Sequence, residues 1–313
     1  MTFGVQFIAA NLFLLLTRPN HIMTFYDYFF LPFLEFSFMR RALVAIFALA
    51  LGGGSIGLLL VMRRMSLLGD AMSHAVLPGA AIGYMLGGLS LPFMSLGGFI
   101  AGLLVALCAA LATRYTDVKE DASFAAFYLI SLSSGVLLVS ISGSSVDLMH
   151  ILFGSVLGVD NAALFLVASV ASVTVLALAF FYRLLLVEAV DPLFLRAIGA
   201  KVQTGHLLFL TLVVLNLVAG FQALGTLMSV GLMMLPPIIA RLWVKTLEKM
   251  LLLSVTLAAS CGYGGLLLSY HHDLPSGPAI ILLLGFFYVL SLFFAPVGGV
   301  IFKYLKGKHY RIS

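Results

Sequence analysis

Residues 66–88 read SLLGDAMSHAVLPGAAIGYMLGG, an apolar, glycine-spaced run long enough to cross a bilayer. Two ionisable groups lie near its start. Asp70 and His74 stand four residues apart, so a helix stacks the carboxylate and the imidazole on one face. A carboxylate in a bilayer-spanning helix costs about 2.5–3.5 kcal/mol at its centre, and such residues usually face a pathway or a partner. One oxygen and one nitrogen donor suit a borderline divalent metal such as zinc or manganese. The plainer reading is an Asp–His hydrogen bond that holds two helices together. The pair alone leaves both open.

The chain has 313 residues, 62% hydrophobic and only 9% charged, with a mean hydropathy of +1.17. A water-soluble domain would not have that balance. Apolar segments recur near residues 42–62, 68–88, 91–112, 122–142, 162–182, 206–223, 226–242, 249–270 and 278–300. They predict an all-α polytopic membrane protein, one bundle of about eight or nine transmembrane helices with no inserted soluble domain. Cys108 and Cys261 sit inside apolar runs and read as small packing residues. Gly79, Gly83 and Gly87 have the rhythm that lets two helix backbones approach closely. The Gly52–Gly54 run, Pro78 and the Pro236–Pro237 pair are expected to kink or loosen their helices.

The basic residues set the orientation. With the 183–205 loop in the cytoplasm, Arg63, Arg64, Arg114, Lys119, Arg183, Arg196, Lys201, Arg241, Lys245, Lys249, Lys303, Lys306, Lys308 and Arg311 all fall inside. Only Arg18, Arg40 and Arg41 fall outside. The positive-inside rule selects this arrangement and puts the C-terminus in the cytoplasm. The basic tail is then a topology signal, and no nucleic-acid partner is expected. The first residues are harder to place. Residues 3–17 are apolar but short, and fit an extra span, an interfacial helix, or sequence upstream of a start at Met23.

Asp147 and His150 form a second carboxylate–imidazole pair, and His271, His272 and Asp273 a third group, both on the outer side by this topology. Each cluster alone is a weak signal, since solvated loop histidines are common. Their shared placement suits an outer mouth that concentrates cations. On the inner side, EAVDPLFLRAIGAKV (188–202) reads as a short amphipathic helix. Asp191–Pro192 supplies its start, Gly199 its stop, and Arg196 a charged flank. Such a helix is a surface anchor or a docking knob for a soluble partner. No GxxxxGK[ST], GxSxG or HExxH motif occurs, so ATP hydrolysis and covalent catalysis are not expected of this chain.

The string RRMSLLGDAMSHAVLPGAAIGY (63–84) resembles the signature of the membrane subunits of bacterial zinc and manganese ABC importers. DLMHILFGSVLGV, EAVDPLFLRAIGAKV, QALGTLMSVGLMMLPPIIARLW and LPSGPAI come after it in the order of that family of metal permeases. The resemblance covers about residues 38–300. It implies a transmembrane permease domain over 38–313, with 1–37 as an N-terminal extension. It also implies a bacterial inner-membrane complex: a homodimer or paralogue heterodimer of permeases, cytoplasmic ATP-binding subunits, and an extracytoplasmic metal-binding protein. By the same resemblance Asp70 and His74 match the membrane-embedded residues that contact the passing ion. Asp191, Pro192, Arg196 and Gly199 match the segment that docks on the ATPase. The transported ion would be Zn2+ or Mn2+, with no permanently bound cofactor. The rival reading is a secondary, proton-coupled metal carrier, whose mark would be inverted internal repeats, and none stands out.

Overall fold

The computed structural model describes residues 25–65, 68–88, 90–116, 119–141, 158–197 and 202–302. Two short helices open it, α1 (Phe25–Phe29) and α2 (Leu31–Glu35), before α3 (Ser37–Met62), α4 (Leu68–Ala75) and α5 (Leu77–Gly87). Next come α6 (Leu91–Tyr115), α7 (Glu120–Ile141), α8 (Asn161–Val190) and the short α9 (Pro192–Ala197). The chain continues through α10 (Val202–Leu224), α11 (Thr226–Trp243), α12 (Leu247–His272) and α13 (Ser276–Phe294). Among the described residues, eight helices are long and apolar enough to cross a membrane: α3, α6, α7, α8, α10, α11, α12 and α13.

Helix α3 is the central post. It buries 78% of its apolar window inside the chain, whereas α7 and α13 bury 17% of theirs and face outward. Between helices in lipid the hydrophobic effect offers little, so close backbone packing must hold the bundle. The glycines of α3 serve that need. A Cβ on Gly57 would overlap the Met233 carbonyl of α11. Pro237 has no N–H to give that carbonyl, so the missing helical bond and the glycine contact fall at one place. Helix α11 nevertheless runs unbroken through Pro236 and Pro237, and α3 runs unbroken through Gly52–Gly54. The expected loosening does not interrupt either helix, because buried neighbours on several sides hold the backbone.

Three features shape the ends of the bundle. Arg64 adopts a left-handed backbone (φ 61°), which turns the chain sharply from α3 toward α4. Helix α8 has 30 residues, about 45 Å long, and so overshoots a hydrocarbon core of about 30 Å. Its geometry departs from helical at Phe181, and the turns beyond carry Glu188 to the base of α9. Residues 25–35 pack on α12 through the Tyr263 hydroxyl, which donates to the Phe29 carbonyl at 2.6 Å.

Candidate functional site

The 68–88 segment is not one helix. Its helical bonding is interrupted at Val76, between an eight-residue and an eleven-residue helix, although Val76 keeps a helical backbone and its N–H still donates to the Met72 carbonyl at 3.2 Å. Pro78 explains the break, since it cannot donate to the His74 carbonyl and its ring would press on the preceding turn. Beyond the break, glycine sets the packing, because α5 and α6 touch through their backbones: a Cβ on Gly79 would overlap the Gly97 carbonyl. The carbonyl end of α4 is partly satisfied from outside, where the Ser131 hydroxyl of α7 donates to the Ala75 carbonyl at 3.0 Å. Interrupted helices of this kind suit cation passage in a membrane protein.

Asp70 and His74 share one face of α4. His74 Nε2 lies 3.8 Å from Asp70 Oδ1, too far for a hydrogen bond. Both belong to the same helix, so the pair does not tie two helices together. The Asp70 side chain is 69% exposed and that of His74 is 34% exposed, while the rest of α4 is buried. A carboxylate thus points outward from a largely apolar chain. His74 sits near the Tyr128 ring, with centroids 6.3 Å apart, and the negative end of the α4 dipole lies beside its imidazole. The face therefore offers one carboxylate, one imidazole and a helix C-terminus to a cation. Among the described residues, no group of three or more His, Cys, Asp or Glu side chains is placed to hold a metal.

The other residues singled out in the sequence are dispersed. His271 is engaged in packing: its ring stacks on Tyr28 at 3.9 Å and its Nε2–H donates to the Tyr28 carbonyl at 3.0 Å. His272 and Asp273 are exposed, and Asp273 takes a left-handed backbone (φ 51°) that ends α12. Asp191 caps α9, accepting from the Phe194 N–H at 3.0 Å, so the Asp191–Pro192 start read from sequence is a real helix start. Arg196 lies in α9. Asp147, His150 and Gly199 lie outside the described residues.

Nothing in the sequence marks a second polar group as a group. At the end of the bundle where α3, α6, α8, α11 finish and α7, α10, α12 begin, a cavity of about 1440 Å3 is lined by Arg63, Arg64, Arg114, Glu120, Glu188 and His206, among others. Arg63 Nη2 donates to Glu188 Oε2, in a pair whose side chains are only 7% and 5% exposed. Arg63 Nη1 lies 3.2 Å from His206 Nδ1, and His206 Nε2 lies 3.3 Å from Glu120 Oε1. The guanidinium also sits over the Phe209 ring, 3.7 Å from its centroid. Burial lowers the Arg63 pKa to about 10, against the pull of Glu120, so it remains charged at neutral pH. In the sequence Arg63 is a topology signal and the first residue of the family-like string 63–84. Glu188 stands in one of the family-like strings, but nothing local marks it as the partner of a residue 125 positions away.

The family model described as the ABC 3 transport family matches residues 35–295. The chain is 34% identical over 282 residues to the manganese transport system membrane protein MntC of Halalkalibacterium halodurans, covering 90% of this chain and 95% of that protein. It is 33% identical over 274 residues to the manganese import system permease protein ScaB of Streptococcus gordonii, covering 88% and 96%. Among solved structures it resembles PsaBC from Streptococcus pneumoniae in complex with Fab, with a TM-score of 0.77 and 32% identity. That match covers 90% of this chain and 98% of the other.

Proposed function

Since the chain belongs to the ABC 3 transport family, we propose that it conducts a divalent transition metal, manganese ahead of zinc, past Asp70 and His74. It is a multi-pass permease subunit of an importer, and no nucleotide motif of its own supplies the energy. Membership of this family displaces the proton-coupled carrier reading. The manganese names of MntC and ScaB support that cargo. The donor set agrees, since a carboxylate and an imidazole accept manganese readily. Zinc binds nitrogen donors more tightly in general, so selectivity for manganese must come from geometry and availability.

The observation that carries the reading is the outward exposure of Asp70. A carboxylate turned away from its own chain, on a short helix of a membrane protein, needs either water or a second protein surface. A second permease subunit, either a copy or a paralogue, would face it and complete the ligand set across a shared pathway. An incomplete set in one chain suits a route that must release its ion in every cycle.

The same reading supplies the remaining parts. A separate cytoplasmic ATP-binding subunit docks on α9 around Asp191, Pro192, Arg196 and Gly199, and an extracytoplasmic metal-binding protein delivers the ion. The chain lies in the bacterial cytoplasmic membrane with its basic end and C-terminus inside. Asp147, His150, His272 and Asp273 belong to the outer side, where they gather cations, while His271 on the same side packs against Tyr28. The test is uptake of radiolabelled Mn2+ and Zn2+ by the reconstituted complex carrying Asp70→Asn. Loss of uptake with normal assembly is the expected result, and wild-type uptake would remove the pair from the route.

A further inference from the structure

The buried charges at the basic end of the bundle touch no part of the proposed metal route, yet they stand between its two working parts. Arg63 comes directly after α3 and lies seven residues before Asp70. Glu188 lies three residues before Asp191, the cap of α9. His206 sits in the helix that leaves α9, and Glu120 opens α7, the helix whose Ser131 holds the end of α4 and whose Tyr128 ring faces His74. We infer that Arg63, Glu188, His206 and Glu120 form a coupling node, through which movement of α9 is passed to the helix bearing Asp70 and His74. These are positioning residues: none touches the ion. The inference rests on the reading of α9 as the ATPase docking helix.

Three features favour a coupling role over plain helix adhesion. The first is connectivity. Four chain segments meet at one point, two flanking the docking helix and two leading to the metal pair. The second is shared contact. Arg63 touches Glu188, the His206 ring and the Phe209 face at once, so a shift of any one of these neighbours bears on the others through it. With Nε2 of His206 protonated, Nδ1 accepts from Arg63 and Nε2 faces Glu120. The third is incompleteness. Arg63 Nε is buried without a hydrogen-bond partner, and so is Glu120 Oε1, which His206 Nε2 approaches without completing a bond. Buried polar groups are nearly always paired. A network that exchanges partners between two transport states would leave such groups open in one of them. The adjoining cavity gives the arginine room to do so.

The test uses the whole complex in proteoliposomes, with its ATPase and binding protein, and reads Mn2+ imported per ATP hydrolysed. The double variant Arg63→Met with Glu188→Leu keeps the volume and removes both charges together, a change that buried ion pairs often tolerate. The expected outcome is normal assembly and basal hydrolysis, with metal imported per ATP falling about tenfold, within the usual range of coupling between sites. Glu188→Gln, which keeps size and hydrogen bonding, should show the same defect more mildly. The charge reversal Arg63→Glu with Glu188→Arg should restore part of the ratio lost in either single reversal. A wild-type ratio in the assembled double variant overturns the node. So does loss of assembly in every variant, because the charges would then serve folding alone. A cysteine at Ala197 distinguishes the parent reading: if it fails to cross-link to the ATPase in otherwise wild-type complex, the docking role of α9 falls first.

Discussion

The Ser131 hydroxyl of α7 donates to the Ala75 carbonyl of α4 across 3.0 Å, closing the end of the half-helix that carries Asp70 and His74. The bond exists because Pro78 interrupts the helix and leaves carbonyls without their usual partners. Ser131→Ala should therefore cost about 1 kcal/mol, the penalty for one unmet buried acceptor. The melting temperature in detergent should fall slightly while metal uptake falls more, because the orientation of His74 depends on that helix end. Equal uptake in variant and wild type would show that the contact is structural only.

Asp70→Asn separates charge from shape. The side chain is mostly exposed and makes no hydrogen bond to His74, so the change should leave folding and assembly intact. It removes the negative charge that offsets dehydration of a divalent cation, and uptake should be lost. His74→Ala should do the same. Growth of a transport-dependent strain on scarce manganese reads both variants at matched expression.

In the proposed orientation His272 and Asp273 should act on encounter. Charges at a solvated mouth are screened over about 8 Å at physiological salt. Replacing His272 and Asp273 together by alanine should weaken uptake at limiting metal and matter little at saturating metal. His271→Ala should behave differently, since it removes a stack on Tyr28 and a bond to the Tyr28 carbonyl. Its main effect should be a lower melting temperature, read on purified protein.

Asp191 holds the start of α9 through the Phe194 N–H. Asp191→Ala should cost the helix about 1 kcal/mol of capping and loosen the docking surface. The ATPase should co-purify in smaller yield, with membrane insertion unchanged. Arg196→Glu should weaken co-purification further, because it reverses a charge on the same helix. Undiminished ATPase recovery in both variants would remove α9 from the docking role.

The local and the non-local parts of this protein divide cleanly. Eight of the nine apolar spans, the stacking of Asp70 on His74 and the Asp191–Pro192 helix start are legible in the sequence. Hydropathy over about 20 residues, helical periodicity and capping are properties of neighbouring residues. Pro78 is visible there too, but its effect is not: Pro236 and Pro237 lie in a continuous helix, whereas the segment bearing Pro78 divides at Val76. The surroundings decide between these outcomes, through the backbone contact of Gly79 with Gly97 and the Ser131 bond. The outward turn of Asp70 and the meeting of Arg63, Glu120, Glu188 and His206 belong wholly to tertiary structure. Arg63 and His206 are 143 positions apart, and only the packing of helix ends around α3 brings them within reach.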